Sequence, residues 1–347
     1  MTTNNVLLQV KDLRTHFFTE GGVVRAVDGV SFDIQPGKTL GVLGESGCGK
    51  SVTGFSILQL INPPGRVIDG EILYHREKNG REEIVDLAKL NPRGEEIRRI
   101  RGNEIAMIFQ EPMTSLDPLF TIGDQLAEAV LVHQKVSKRA ALDRATELLD
   151  KVRLPQARSL LKQYPHQLSG GMRQRVMIAM ALTGQPKLLI ADEPTTALDV
   201  TTEAQILELM QNLQDEFGMA MMFVTHDLGV IAEMATDVVV MYLGRVVEKT
   251  DIQSLFKEPK HPYTRALLES IPKVGHKVGG HLQTIEGMVP SPFNIPPGCP
   301  FHPRCASFMP GVCDAALPAD VPLDDEHSVR CFLYSEKTEG DQYGSPA

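Results

Sequence analysis

Gly44-Glu45-Ser46-Gly47-Cys48-Gly49-Lys50-Ser51 follows the apolar run Thr39-Leu40-Gly41-Val42-Leu43 and opens a segment, 51–60, whose apolar residues recur at helical spacing. Strand, glycine-rich loop and helix in that order decide the fold class. The glycines let successive backbone N–H groups turn toward one anion, and the helix N-terminus adds positive potential. In such a G-x-x-x-x-G-K-S loop, Lys50 reaches the β- and γ-phosphates of a nucleotide and Ser51 offers its hydroxyl to Mg²⁺. Every position from Gly44 to Ser51 is therefore a candidate nucleotide contact.

Working outward, Leu188-Leu189-Ile190-Ala191-Asp192-Glu193 is an apolar strand that ends in two carboxylates, at the sheet edge where open α/β folds bind ligands. Asp192 is placed to hold Mg²⁺ through water and Glu193 to polarise an attacking water. Leu168-Ser169-Gly170-Gly171 leads into a further helix, giving a second bare helix N-terminus with a serine hydroxyl. Two phosphate sites for one nucleotide imply that the second serves another subunit.

Helix and strand patterns alternate over 171–182 with 187–191, 202–217 with 220–225, and 228–235 with 237–242. Such alternation predicts a parallel sheet covered by helices on both faces. Ahead of the loop, 7–43 reads as short strands separated by turns, and 104–109 restores a strand after a polar insertion over 74–101. Apolar spacing of three and four over 121–161 predicts a helical subdomain.

The chain has 347 residues with 35 basic and 44 acidic side chains, a net charge of -9. Its length implies one large domain with a smaller appendage, and its sign of charge excludes a protein that lives by neutralising polymer phosphates. No stretch reaches the roughly 18 apolar residues of a membrane span and the start lacks a signal-peptide pattern, so a cytosolic chain is expected. Past Glu248 the texture turns to proline, histidine and cysteine, a loop-rich module expected over 251–335, with a disordered tail over 336–347. Cys299, Cys305, Cys313 and Cys331 are spaced C-x5-C-x7-C-x17-C. In a reducing compartment they read as ligands of one metal centre, a [4Fe–4S] cluster or Zn²⁺. The absence of zinc-finger pairs favours iron–sulfur.

The order of phosphate loop, Gln110, Leu168-Ser169-Gly170-Gly171, Asp192-Glu193, Ala197-Leu198-Asp199 and His226 resembles the nucleotide-binding subunit of ABC transporters. The resemblance implies an α/β P-loop NTPase over 1–250 with an ABC-type antiparallel β subdomain and a helical insertion at about 117–182. It further implies a head-to-tail dimer with ATP held between the phosphate loop of one subunit and Ser169, Gly170 and Gly171 of the other. By the same resemblance Phe17, or its neighbour Phe18, stacks on adenine, and Gln110 senses Mg²⁺ and γ-phosphate. His226 contacts the γ-phosphate and Asp199 links the two sites. Met172 stands where glutamine is common after the glycines, and Cys48 replaces a common loop serine.

Within that family, Gln110-Glu111-Pro112-Met113-Thr114-Ser115-Leu116-Asp117-Pro118, the Ser169-Gly170-Gly171-Met172-Arg173-Gln174-Arg175 run and His261-Pro262-Tyr263-Thr264 resemble the D component of dipeptide and oligopeptide importers. That implies an ATPase powering peptide uptake from the cytoplasmic face of the inner membrane. Its partners would be a homologous F-type ATPase, two permeases and an extracytoplasmic solute-binding protein, with no nucleic acid. Residues 111–118 are expected to line the groove for a permease helix. Similar importers take nickel, oligosaccharides or opines. The rival reading, a soluble ABC-type mechanoprotein, calls for a long coiled coil or tandem ATPase domains, and this chain has neither. A third makes the C-terminal module a regulator.

Overall fold

The computed structural model describes residues 6–78, 80–110, 115–270 and 285–335. The expected permease groove at 111–118 therefore lies partly outside the described residues, and the tail at 336–347 wholly outside them.

Two sheets form the body. The first is antiparallel in the order β2-β1-β4-β5, built from β1 (Leu8–Thr19), β2 (Gly22–Ile34), β4 (Gly65–Lys78) and β5 (Arg81–Asp86). The second has eight strands in the order β11-β12-β10-β9-β3-β8-β7-β6. Its centre is parallel: β3 (Thr39–Leu43) lies between β8 (Ala220–Thr225) and β9 (Asp237–Tyr242), and β7 (Leu188–Asp192) joins β8 to β6 (Ile105–Ile108). Strands β3, β7 and β8 are buried along their whole length, which explains their unbroken apolar runs. Beyond β9 the sheet turns antiparallel through β10 (Arg245–Asp251), β12 (Ser328–Val329) and β11 (Val321–Pro322).

Helices Ile122–His133, Lys138–Lys151, Ala157–Leu160 and Gly170–Ala181 occupy the expected helical subdomain. Local chemistry sets their starts: the hydroxyls of Thr121, Ser137 and Ser169 each accept a backbone N–H three residues on, the bond that satisfies an otherwise orphaned helix donor. These helices, with Val200–Phe217, bury one face of the parallel sheet around Ile178, Leu189, Met221 and Phe223. The antiparallel sheet and the Lys50–Ile57 helix cover the other around Leu8, Val42, Ile190 and Val224.

Two expectations are corrected. The polar stretch at 74–101 is more than an insertion, because its start belongs to β4, which pairs with β1 from Leu8 opposite Tyr74 to Phe17 opposite Gly65. The first helix ends at Ile57 rather than near 60. Gln59 takes the left-handed conformation, φ 53°, and its amide donates to Leu87 O and Ala88 O.

Candidate nucleotide-binding and hydrolysis site

The loop between β3 and the Lys50–Ile57 helix is shaped by close backbone approach. At Gly49, φ is 103° and an added Cβ would stand 2.1 Å from Ala26 O, so no other residue fits there. Gly49 caps the helix without any side-chain hydrogen bond, which leaves the helix N–H groups for an anion. Lys50 is buried and folds back over the loop, its Nζ donating to Gly44 O at 2.6 Å and Glu45 O at 3.2 Å.

Ser51 Oγ donates to Asp192 Oδ1 at 2.9 Å, joining the helix start to the end of β7. Burial pushes the Asp192 carboxyl up to about 6, against the pull of the Ser51 hydrogen bond. A buried carboxylate that is costly to ionise, beside a hydroxyl, is a hard oxygen pair suited to Mg²⁺; these two residues fit the ion.

Glu193, just past the end of β7, takes the left-handed conformation, φ 45°, with its N–H donating to Val224 O of β8 at 2.8 Å. That turn aims the carboxylate at three partners. Gln110 Nε2 donates to Oε2 at 2.8 Å, Thr196 Oγ1 donates to the same oxygen at 3.0 Å, and His226 Nδ1 meets Oε1 at 2.9 Å. Burial raises the Glu193 carboxyl, but the hydrogen bonds of His226 and Thr196, with the charges of His226 and Lys50, outweigh it and hold the group below the usual carboxylate range. Glu193 is thus an ionised, oriented carboxylate at neutral pH.

Gly44, Glu45, Ser46, Gln110, Glu193 and His226 all line one cavity of about 620 Å³. A larger cavity, about 950 Å³, is lined by residues after Asp251 alone; no phosphate-loop residue, nor Asp192 or Glu193, is on its wall, and it is not the candidate site.

The remaining candidates stand apart from this cluster. Ser169 caps its helix by accepting the Met172 N–H. Asp199 caps Val200–Phe217 by accepting from Thr202 N at 3.0 Å and Thr202 Oγ1 at 2.8 Å, while a Cβ added at Gly171 would press on Thr202 Cγ2 at 2.6 Å. Thr202 thereby brings Asp199 beside Gly171, while Gly170 faces Leu198. Met172 packs against the helical core. Phe17 is half-buried, its ring against Gly65, whereas Phe18 is exposed with the Arg66 guanidinium 4.5 Å from its ring centroid. Buried Cys48 fills space beneath Gly44.

Cys299, Cys305, Cys313 and Cys331 do converge, on a cavity of about 10 Å³, room for about one water. Burial raises the thiols of Cys299 and Cys331 to about 11 and that of Cys305 as well, so they stand protonated. Among the described residues, no group of three or more His, Cys, Asp or Glu is disposed to hold a metal ion. The four thiols share one cavity, as the spacing led one to expect, while the metal centre itself is not seen among the described residues.

Sequence reasoning missed Thr196, Tyr263 and Arg304 as site residues. Thr196 follows Glu193 by a short turn and was open to inspection; the other two reach the loop from more than two hundred residues away, by 218 and 259 positions from Glu45.

Residues 27–196 match the model of the ABC transporter family, and residues 247–313 that of the oligopeptide/dipeptide transporter C-terminal region. A putative peptide import ATP-binding protein of Brucella melitensis biotype 1 is 52% identical over 95% of this chain and 98% of its own. The dipeptide transport ATP-binding protein DppD of Bacillus subtilis (strain 168) is 48% identical over 96% of each. A dimeric bacterial ABC transporter cassette superposes with a TM-score of 0.61 at 27% identity, covering 71% of this chain and 98% of that one. A dimeric cassette in a post-hydrolysis state bound to ADP and Pi gives 0.60, also at 27% identity, over 71% of this chain and 98% of its own.

Proposed function

The chain belongs to the ABC transporter ATP-binding family, and we propose that it hydrolyses ATP to power import of dipeptides or oligopeptides through partner permeases. The observation that carries the catalytic part is the Glu193 carboxylate, fixed by Gln110, Thr196 and His226 on the wall it shares with the phosphate loop. The peptide cargo is supported by relatives named for peptide and dipeptide transport at 48–52% identity over nearly the whole chain.

In this reading ATP phosphates draw Lys50 from Gly44 O and Glu45 O, and the loop N–H groups take the phosphate oxygens. Ser51 and Asp192 would hold Mg²⁺, which would supply positive charge against the phosphates. Glu193 orients and deprotonates the attacking water, with Gln110 and His226 setting its carboxylate. Ser169, Gly170 and Gly171 of a second, homologous ATPase close the site from outside, with Asp199 at the junction. Phe17 takes the adenine. Nucleotide bridging then drives closure, and hydrolysis releases it. The ATPase unit spans 1–250 and the module 251–335. No helix among the described residues is long and apolar enough to cross a membrane, consistent with a peripheral subunit at the cytoplasmic face of the inner membrane, the solute being delivered by a solute-binding protein. Convergence of the four cysteines on one cavity supports a finer reading, metal capture after local rearrangement, which iron and zinc analysis of anaerobically purified protein tests.

Glu193→Gln keeps ATP binding and lowers turnover by about 10²–10⁴-fold, the worth of a positioned base. Near-normal steady-state hydrolysis by that variant in the assembled transporter would sink the catalytic assignment.

A further inference from the structure

Glu45 is an awkward residue for a loop that must receive a polyanion: its carboxylate lies on the wall of the nucleotide cavity, where it would repel phosphate. The part of the chain beyond Asp251 answers that charge. Arg304, at 4% side-chain exposure, grips the carboxylate with both arms, Nη1 to Oε2 at 2.8 Å and Nη2 to Oε1 at 3.1 Å. The guanidinium is itself fixed, Nε donating to Glu286 O at 3.1 Å and its carbon lying 5.9 Å from the Tyr242 ring centroid.

A second contact holds the backbone of the same residue. Glu45 N–H donates to Tyr263 Oη at 2.9 Å, so this donor is committed to the protein. Tyr263 cannot drift, because its ring is fully buried against Tyr242 and Phe301, with centroids 4.7 and 5.4 Å away. Arg304, with Leu267 and Ile285, also forms the far wall of the cavity that Glu193 and His226 line.

We infer that Arg304 and Tyr263 are positioning residues for nucleotide binding: Arg304 cancels the charge of Glu45, and Tyr263 sets the backbone of the phosphate loop. The C-terminal module is then a working part of the ATP site. Arg304 directly precedes Cys305, which lines the cysteine cavity.

This inference rests on the ATP-binding reading, and its test separates the two. The dissociation constant of Mg-ATP is measured calorimetrically on the full-length chain, with the melting temperature of each variant as a fold control. Arg304→Met raises the constant about tenfold, as befits loss of a charge-assisted bidentate pair, and the rise shrinks in high salt. Adding Glu45→Gln to that variant restores affinity to within about twofold, since the repelling charge is gone; a loop merely destabilised would not be rescued. Arg304→Lys falls between. Tyr263→Phe keeps the aromatic packing and raises the constant about threefold, a single neutral hydrogen bond, which keeps the proposal open to test should Arg304→Met not fold. Losses that add in the Glu45 and Arg304 double variant, or Tyr263→Phe binding as tightly as wild type, would overturn it. Failure of the wild-type chain to bind Mg-ATP would instead overturn the ATPase reading.

Discussion

Strands β3, β7, β8 and β9 are near-continuous apolar runs between helices, whereas after Asp251 the described strands, Val321–Pro322 and Ser328–Val329, are two residues each. The first region is held by area. The second is held by points: β12 pairs with β10 at only Glu248 opposite Val329 and Lys249 opposite Ser328, and an aromatic cluster of Tyr242, Tyr263 and Phe301 shares its apolar contacts with β9. Between them stands Glu248, fully buried. Its Oε1 accepts from Lys260 N at 2.7 Å and faces His327 Nε2 at 2.9 Å, and its Oε2 accepts from His261 N at 2.9 Å. Buried area spreads a loss over many contacts; a single carboxylate concentrates it.

The largest test of that contrast is Glu248→Ala. It strips three donors of their partner in a dry site and costs about 3 kcal/mol. Limited proteolysis should then cut after residue 251 while the rest of the chain stays protected. Uniform loss of protection on both sides would mean that the two regions unfold as one.

Acid sharpens the comparison at somewhat smaller scale. Burial, with the Arg265 charge, lowers His261 to about 3, below the 6.5 of an unfolded histidine. The unfolded chain therefore binds the extra proton, and the stability contributed by keeping His261 neutral is present above pH 6.5 and lost as pH falls toward 3. Between pH 7 and 5 the loss is about 2 kcal/mol. Asp192, raised to about 6, works in the opposite sense: its cost of ionisation disappears as pH falls through that value. Hydrogen exchange at pH 5 should show opening around Tyr263 before any around β7; the reverse order would contradict the assignment.

The smallest test is Ser169→Ala in the helical subdomain, which removes one helix cap and costs about 1 kcal/mol by denaturant unfolding. A loss as large as that from Glu248→Ala would show that the first region also hangs on points.

The same contrast explains what could be read in advance. Unbroken runs such as Leu188-Leu189-Ile190-Ala191 and Val238-Val239-Val240-Met241 announce buried parallel strands, because burial on both faces leaves no room for polar residues. Strand β4 was harder to see: its second half, Tyr74-His75-Arg76-Glu77, is polar because Arg76 serves three carboxylates, Glu83, Glu96 and Glu104, and ion pairs leave no periodic signature. Lys50, Ser51, Asp192 and Glu193 stood out because phosphate and cation chemistry limits the residue types at strand and helix ends. Arg304 and Tyr263 had no such mark; only the folding of the chain back on itself makes them neighbours of Glu45. The cysteines were legible as a group, and their separations in space were not.

The left-handed backbone at Glu193 has a consequence for anyone selecting this protein by heat. A non-glycine residue there costs about 1–2 kcal/mol relative to an unstrained position, and glycine or asparagine would recover much of it. A screen that rewards survival alone would drift toward Glu193→Gly, favouring a hardier chain without the carboxylate that Gln110, Thr196 and His226 hold, the one proposed above as the base. Thermal selection of this protein therefore has to be run with turnover as a second filter.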